Sequence, residues 1–478
     1  MPARTLIVFP ASLYGGRWAT GPRVKPELVS MHTMLTRRGI EAGVLDLENE
    51  VGNPGAVDRE AFFANTERLF GGVEADLIVI SCSSSLQHKA SLAVGEIVRR
   101  LHPDVTIAVS GFHPSVRPGD FIYDGSPFDY VIVGEPELPV CELAASAAGR
   151  PGEPAVLDGV PYELSADVAP DYSLYPYIKS QLPTLPVYFS RGCPYPGAAC
   201  MRVPGQPAGW RAFPVDVTLR MIKELCEYEP GRISVMDPSF GLYDAWRREV
   251  LTALAADRNL RVPLSISARP EAFTRKDLDL VYRARMRLRL DVETLSPKLL
   301  QLTGASPHPL DYVDKALDLM TYANAKGIPG VITLVFNRPG ETRETANETL
   351  ERLTAYVTAQ PNATLRLAAT SWAYLPYADE STDIDFPAER YGTRYMHAEW
   401  WREGIPFDKA ARAVIASTDL SDLEPGDDSY WRPRFDELAD EIGRKLTQEA
   451  QRGARSHEAV SSGAADVPHG FWIEPRWH

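Results

Sequence analysis

Cysteine is scarce in this chain, and positive charge is in deficit. Five cysteines among 478 residues is an odd count, too sparse for a disulfide framework, which argues for a reducing, cytoplasmic setting. Lys and Arg total 50 against 64 Asp and Glu, a net charge of −14. Such a balance does not supply the basic face that non-specific nucleic-acid or anionic-membrane binding requires. No apolar run approaches the ~18 residues of a membrane helix. Residues 1–10 hold a short apolar run that reads as a first strand rather than a secretion signal. No Gly-x-Gly-x-x-Gly follows that strand, so a dinucleotide is not favoured. Cys193 and Cys200 lack a second Cys/His pair at zinc spacing, so a closed four-ligand zinc site is not favoured either.

What remains is ordinary globular material. It is 44% hydrophobic and 24% charged, and the length suits two or three domains. Residues 5–9, 43–47, 76–81, 105–109 and 130–133 are short apolar runs, and helical patterns fill residues 25–38 and 87–101. Buried strands alternating with helices predict a parallel, doubly wound (Rossmann-like) sheet over residues 1–148. Such sheets bind ligands at the carboxyl ends of their strands. The loops there are rich in small residues: Ser81-Cys82-Ser83-Ser84-Ser85-Leu86-Gln87, Ser110-Gly111-Phe112-His113-Pro114 and Gly134-Glu135-Pro136-Glu137. His113 by itself reads as a capping or turn histidine, and Cys82 and Cys141 as small buried hydrophobes.

Residues 149–184 shift to Pro, Asp and Tyr and read as a linker. From 185 to 368 the alternation resumes, with strands at 185–188, 233–237, 264–269, 286–292, 330–336 and 365–370 and helices between them. This predicts an open (β/α)6 partial TIM barrel with its functional groups on the loops at strand C-termini and its lower half packed with apolar side chains. Asp237 closes the second strand, Arg269 the third, and Glu293 the fourth. Asp237 reads as a helix cap or a ligand contact, and Arg269 with Glu293 as an ion pair or a binding pair. Residues 369–478 are aromatic-rich and mostly helical, with helices near 395–403 and 433–451. The apolar tail at 471–478 is expected to dock onto the protein.

After the first barrel strand the chain runs Ser190-Arg191-Gly192-Cys193-Pro194-Tyr195-Pro196-Gly197-Ala198-Ala199-Cys200. This stretch resembles the cluster loop of the radical S-adenosylmethionine (SAM) enzymes, whose Cys-x3-Cys-x2-Cys holds a [4Fe–4S] cluster with one iron left for SAM. Cys193 and Cys200 match the outer positions; Gly197 replaces the middle cysteine. Asp237-Pro238-Ser239-Phe240, Asp291-Val292-Glu293-Thr294 and Pro339-Gly340-Glu341-Thr342 resemble further stations of the same barrel, with Asn337-Arg338 where the family more often has Gly-Leu. The first domain resembles the cobalamin-binding domain that precedes some of these barrels. The Asp-x-His-x-x-Gly motif that gives classical cobalamin enzymes a cobalt-ligating histidine is absent after strand one, where the chain reads Ala11-Ser12-Leu13-Tyr14-Gly15-Gly16.

The resemblance implies a cobalamin- and SAM-dependent methyltransferase acting on a small molecule, with natural-product metabolism as a setting. It assigns cobalamin to Tyr14, Ser81, Ser83, Gln87, Gly111, Phe112, His113, Gly134 and Glu135, without a histidine under the cobalt. It assigns SAM to Asp237, Arg269 and Glu293, and iron to Cys193 and Cys200. An electron donor is expected if the cluster forms; nucleic acid and membrane are not expected as partners. Gly197 leaves two alternatives open: polar methyl transfer without an intact cluster, and a cobalamin-binding protein that is not an enzyme.

Overall fold

The computed structural model describes residues 3–12, 24–52, 59–147, 149–151, 153–193, 209–372, 385–395, 397, 399–404, 414–415, 423 and 427–456. Tyr14, Gly197, Cys200 and the tail at 471–478 lie outside them. The first sheet is built from β1 (Thr5–Phe9), β2 (Ala42–Asp46), β3 (Leu77–Ser81), β4 (Thr106–Ser110), β5 (Tyr130–Val133) and β6 (Ala155–Asp158). All neighbours pair in parallel in the order β2-β1-β3-β4-β5-β6. The chain therefore crosses over between β1 and β3, which is where ligands settle in such sheets. Helices Pro26–Arg37, Arg59–Phe70, His88–Leu101 and Glu137–Ser146 cover the two faces. The β3 and β4 strands are buried along their whole length, as expected of strands covered on both sides.

Strand β6 corrects the expected domain boundary. It falls in the stretch read as linker, yet it registers with β5 from Tyr130↔Ala155 to Val133↔Asp158. It is an edge strand with alternate residues exposed, so its hydrophobic signal is weak.

The second sheet runs in simple sequence order: Leu185–Val187, Ile233–Val235, Leu264–Ala268, Arg287–Glu293, Gly330–Phe336 and Leu365–Ser371, all parallel. The first and last strands do not pair, which is the open (β/α)6 barrel. Leu264, Ile266, Leu288, Leu290, Ile332, Leu334, Leu365 and Leu367 face the helices and join one core with Leu278, Val281, Leu319, Leu350 and Leu353. Strand side chains alternate, so the lumen receives Ser265, Ser267, Arg289, Asp291, Thr333 and Arg366. This overturns the apolar lower half expected from closed barrels. Asp291 is held inside by Arg289 Nε at 2.7 Å and by the Thr333 hydroxyl at 2.7 Å. A partial barrel need not fill its centre with hydrocarbon, because water and neighbouring segments reach it through the open side.

The C-terminal helix Arg432–Ser456 lies against the barrel. Trp431, just before it, is fully buried and stacks on Phe336 of the fifth barrel strand, with ring centroids 4.3 Å apart and planes 8° off parallel. Phe435, Leu438 and Ile442 continue the same core. Trp400 and Trp401 are equally buried, but Trp401 docks on the first domain, as described below. The expected helix near 395–403 is only Trp400–Glu403, preceded by Asp385–Tyr391 and a two-residue pairing of Arg394–Tyr395 with Val414–Ile415. Replacing Trp431 by Ala is expected to cost about 3–5 kcal/mol in the barrel's unfolding transition, measured by urea titration. An unchanged midpoint would show that the C-terminal helix is dispensable to the barrel.

Candidate functional site

The carboxyl ends of the two sheets are tied together by four charges. Arg191, from the loop that leads to Cys193, donates to Glu137 Oε1 at 2.5 Å and lies 3.4 Å from Glu135 Oε2. Arg211, on the strand that pairs antiparallel with Ser190–Arg191, donates to the other oxygen of Glu135. Both glutamates are 3% exposed. They follow β5, so the Gly134-Glu135-Pro136-Glu137 turn of the first domain grips the cysteine loop of the second. Ser30 on the first helix accepts from Arg191 at 3.1 Å, and the Tyr162 ring lies under its guanidinium at 5.1 Å. Burial disfavours the Glu137 and Arg191 charges. For Glu137 the Arg191 charge and hydrogen bond outweigh burial and hold its carboxyl below the usual range. The Glu135 carboxylate, on a residue the resemblance assigns to cobalamin, engages the barrel arginines.

The two residues just before Arg191 are anchored from the other side. Asp237 is 2% exposed and accepts from Phe189 N at 2.7 Å, Ser190 N at 3.1 Å and the Ser190 hydroxyl at 2.6 Å. Its two oxygens hold the backbone that opens the cysteine loop. Asp237 thus serves as a loop anchor. Desolvation outweighs the three donors and pushes the carboxyl up to about 7.

At the barrel mouth Glu293 and Arg269 do meet, as the sequence suggested, and a third residue joins them. Arg338 Nη1 donates to Glu293 Oε2 at 2.9 Å, and Arg269 Nη1 stands 3.6 Å from Oε1. Arg269 also reaches Glu271 at 3.2 Å. Burial alone would raise the Glu293 carboxyl, but the Arg338 and Arg269 charges reverse the direction and lower it. Arg338 was visible in the sequence only as a departure from Gly-Leu. Glu293 sits at a register shift in its strand and has φ 62°. Asn337, at the end of the adjacent strand, has φ 58°. Its amide donates to Glu341 Oε2 at 2.5 Å, and Tyr430 donates to both Asn337 and Glu341.

The sheet-top residues of the first domain divide into two groups. Ser81 and Ser83 pair at 3.2 Å, and Ser83 donates to Glu27 at 2.8 Å. Gln87 accepts from the Ser84 hydroxyl at 2.5 Å. Gly111 (φ 112°) and Gly134 (φ 101°) both occupy the left-handed half of the map. A Cβ on Gly111 would sit 2.6 Å from the Cys82 carbonyl. This glycine is required by the protein's own backbone, whether or not a ligand lies above it. His113 is fully buried, with Nδ1 at 2.8 Å from the Ser85 hydroxyl and Nε2 at 3.0 Å from Asp120. It is an interior histidine, held between Ser85 and Asp120. Phe112 is also buried. No helix among the described residues is long and apolar enough to cross a membrane.

The anchor role of Asp237 is checked by two substitutions. Asp237→Asn keeps an oxygen for the two backbone amides, and the Ser190 hydroxyl can turn to accept, so the loop should hold. Asp237→Ala leaves three donors unmet and is expected to lose about 2–4 kcal/mol. The raised carboxyl also has a sign: its proton stabilises the fold below about pH 4, and that contribution is lost as pH climbs through about 7. Thermal melts should show Asp237→Asn matching or exceeding the parent at pH 8. A loss of SAM binding in Asp237→Asn with unchanged melting would restore the ligand role.

No family model matches the chain, and no curated protein resembles it in sequence. Solved structures do resemble it in shape. The radical SAM methyltransferase TsrM from Kitasatospora setae, with tryptophan substrate and a SAM analogue bound, superposes with a TM-score of 0.67 at 16% identity, over 95% of this chain and 99% of that one. The same enzyme with cobalamin and a [4Fe–4S] cluster bound gives 0.66 at 17% identity, over 98% and 94%. The cobalamin-dependent SAM radical enzyme OxsB, with aqua-cobalamin and SAM bound, gives 0.55 at 13% identity, over 95% of this chain but 61% of the other. From the first sheet to the C-terminal helix, this chain has the fold of the cobalamin-dependent radical SAM enzymes.

Proposed function

We propose that the protein is a cobalamin- and SAM-dependent methyltransferase acting on a small molecule, with cobalamin between the two sheets and SAM at the barrel mouth. The observation that carries this is the ion network linking the turn after β5 to the cysteine loop. It brings the turn after β5 of the first sheet against the loop after the first barrel strand. The fold shared with TsrM over nearly the whole of both chains supports the same reading.

The residues present suit these groups. A corrin needs close backbone approach and hydrogen-bonding partners for its amide arms. Gly134 sits at positive φ after β5, and Ser81, Ser83 and Ser110 lie at or beside the ends of β3 and β4. The Ser110 hydroxyl is buried with no hydrogen-bond partner among the described residues. SAM carries an α-ammonium and an α-carboxylate. Glu293 beside Arg269 and Arg338 presents one anion and two cations, the complement of that zwitterion. Bound together, the two cofactors would supply a transferable methyl group. This chain's own share is to orient SAM through Glu293 and Arg269, to fix the loop through Arg191 and Asp237, and to keep the loop's backbone from shifting. Cys193, on that loop, would be one thiolate for iron.

Gly197 favours a second reading within the same class, in which the methyl group passes by a polar route without an intact [4Fe–4S] cluster. Two thiolates from the loop leave one iron short of the family's three.

Spectra of purified protein reconstituted with cobalamin test the main reading. Corrinoid absorption retained through gel filtration is expected, as is SAM-dependent methyl transfer. No retained corrinoid would overturn it. Glu293→Gln is expected to weaken SAM binding by about 1.5–3 kcal/mol; unchanged affinity with a lower melting temperature would mark it as a structural pair only. Gly197→Cys separates the two routes. A rise in iron after anaerobic reconstitution is expected if the loop keeps the family's shape, and parent protein already near four irons would remove the case for the polar route.

A further inference from the structure

The first domain has a second constellation, of buried titratable groups. His88 opens the helix after β3, His113 lies in the short helix Phe112–Val116 after β4, and Asp120 follows in a 3-10 turn. All three are buried, at 3%, 0% and 8% exposure. One ligand atom from each lies within 4.8 Å of the others. Asp120 Oδ2 is 3.0 Å from His113 Nε2 and 3.9 Å from His88 Nε2. Two ligands on a tetrahedral zinc, at about 2.1 Å each, stand roughly 3.4 Å apart. The two distances bracket that value.

We infer that His88 Nε2, His113 Nε2 and Asp120 Oδ2 form a structural binding site for a divalent transition metal, with zinc the first candidate and a water in the fourth position. The observation that asks for an occupant is His88 Nε2. It is buried and has no hydrogen-bond partner. Its sister nitrogen Nδ1 faces the Trp401 carbonyl at 3.3 Å and must donate to it. Nε2 is then a bare acceptor or an unmet donor, and either costs free energy in a buried place. A cation with imidazole and carboxylate preferences satisfies it.

The surroundings match what metal-bound histidines have around them. Each ring's Nδ1 already has an oxygen partner, the Trp401 carbonyl for His88 and the Ser85 hydroxyl for His113. Such outer partners fix the ring and its tautomer. The Ser85 hydroxyl can donate or accept, so it tolerates either tautomer of His113. Trp401 Nε1 donates to Asp120 Oδ2 at 2.8 Å, and Arg402 holds Oδ1 with Nε at 2.9 Å. The Arg402 side chain is 45% exposed, so water screens its charge from the metal. The metal would clamp the loops after β3 and β4 to each other and to the segment carrying Trp401.

Zinc itself is the probe. The full chain is prepared with Cys193→Ser and Cys200→Ser to remove the loop thiolates, without cobalamin, and equilibrated with buffered Zn²⁺. About one zinc per chain should survive gel filtration, by mass spectrometry, and raise the melting temperature. His88→Phe keeps the aromatic contact with Phe121 (5.4 Å between centroids) and should lose the zinc while staying folded by circular dichroism. Ser85→Ala, a milder change, should weaken zinc binding roughly tenfold. A parent that takes up no zinc, or a His88→Phe chain that retains it, would overturn the assignment. The parent measurement decides even if a variant fails to fold.

Discussion

Four charges, two buried glutamates and two half-buried arginines, tie the two sheets of this architecture together. Glu135 and Glu137 belong to the first sheet, Arg191 and Arg211 to the barrel side. Charges taken out of water are unfavourable unless each is paired, and removing one partner from such a set typically costs about 3–5 kcal/mol. The network therefore does more to fix how the two domains meet than to add stability. It acts at one point, the turn after β5 against the residue two before Cys193. Asp237 then holds the neighbouring Phe189 and Ser190 amides. The base of the cysteine loop is gripped by one domain through its side chain and by the other through its backbone.

Much of the fold was legible because parallel strands buried on both faces are short, continuous apolar runs. The five strands expected before residue 148 and the six of the barrel all exist, with ends shifted by one or two residues. What the sequence hid has physical reasons. The β6 strand is a half-exposed edge among prolines, so no apolar run marks it. The polar lumen was hidden by analogy with closed barrels: Ser265, Arg289, Asp291 and Thr333 alternate with leucines as any half-buried strand would, and which side is the lumen depends on closure.

The site was legible as a place but not as a set of pairings. Asp237, Arg269 and Glu293 do stand at strand ends. Position along a strand says which residues reach the mouth; it does not say what they bind there. Asp237 turned to a backbone four dozen residues upstream, and Glu135 to two arginines in another domain. His113 has the residue type and loop position of a ligand, but its ring turns inward to Asp120. Arg338 was the reverse case: a departure from pattern that supplied the nearest partner of Glu293.

Backbone strain is concentrated where the mouth is built. Glu293 and Asn337 are non-glycine residues at positive φ, at the ends of neighbouring strands. Such conformations cost of order 1–3 kcal/mol each and persist only where the surroundings over-determine them. Here the surroundings are identifiable. Arg338 and Arg269 hold the Glu293 carboxylate, Glu341 and Tyr430 hold Asn337, and Trp431 beside Tyr430 is locked onto Phe336. A glutamate in a regular strand would continue the alternation of its neighbours. The register shift at Asp291/Glu293 re-aims it toward the arginines. The turn that leads into the C-terminal helix thus reaches the mouth through Tyr430 and Asn337, and the charge pattern at the mouth depends on a segment more than ninety residues downstream.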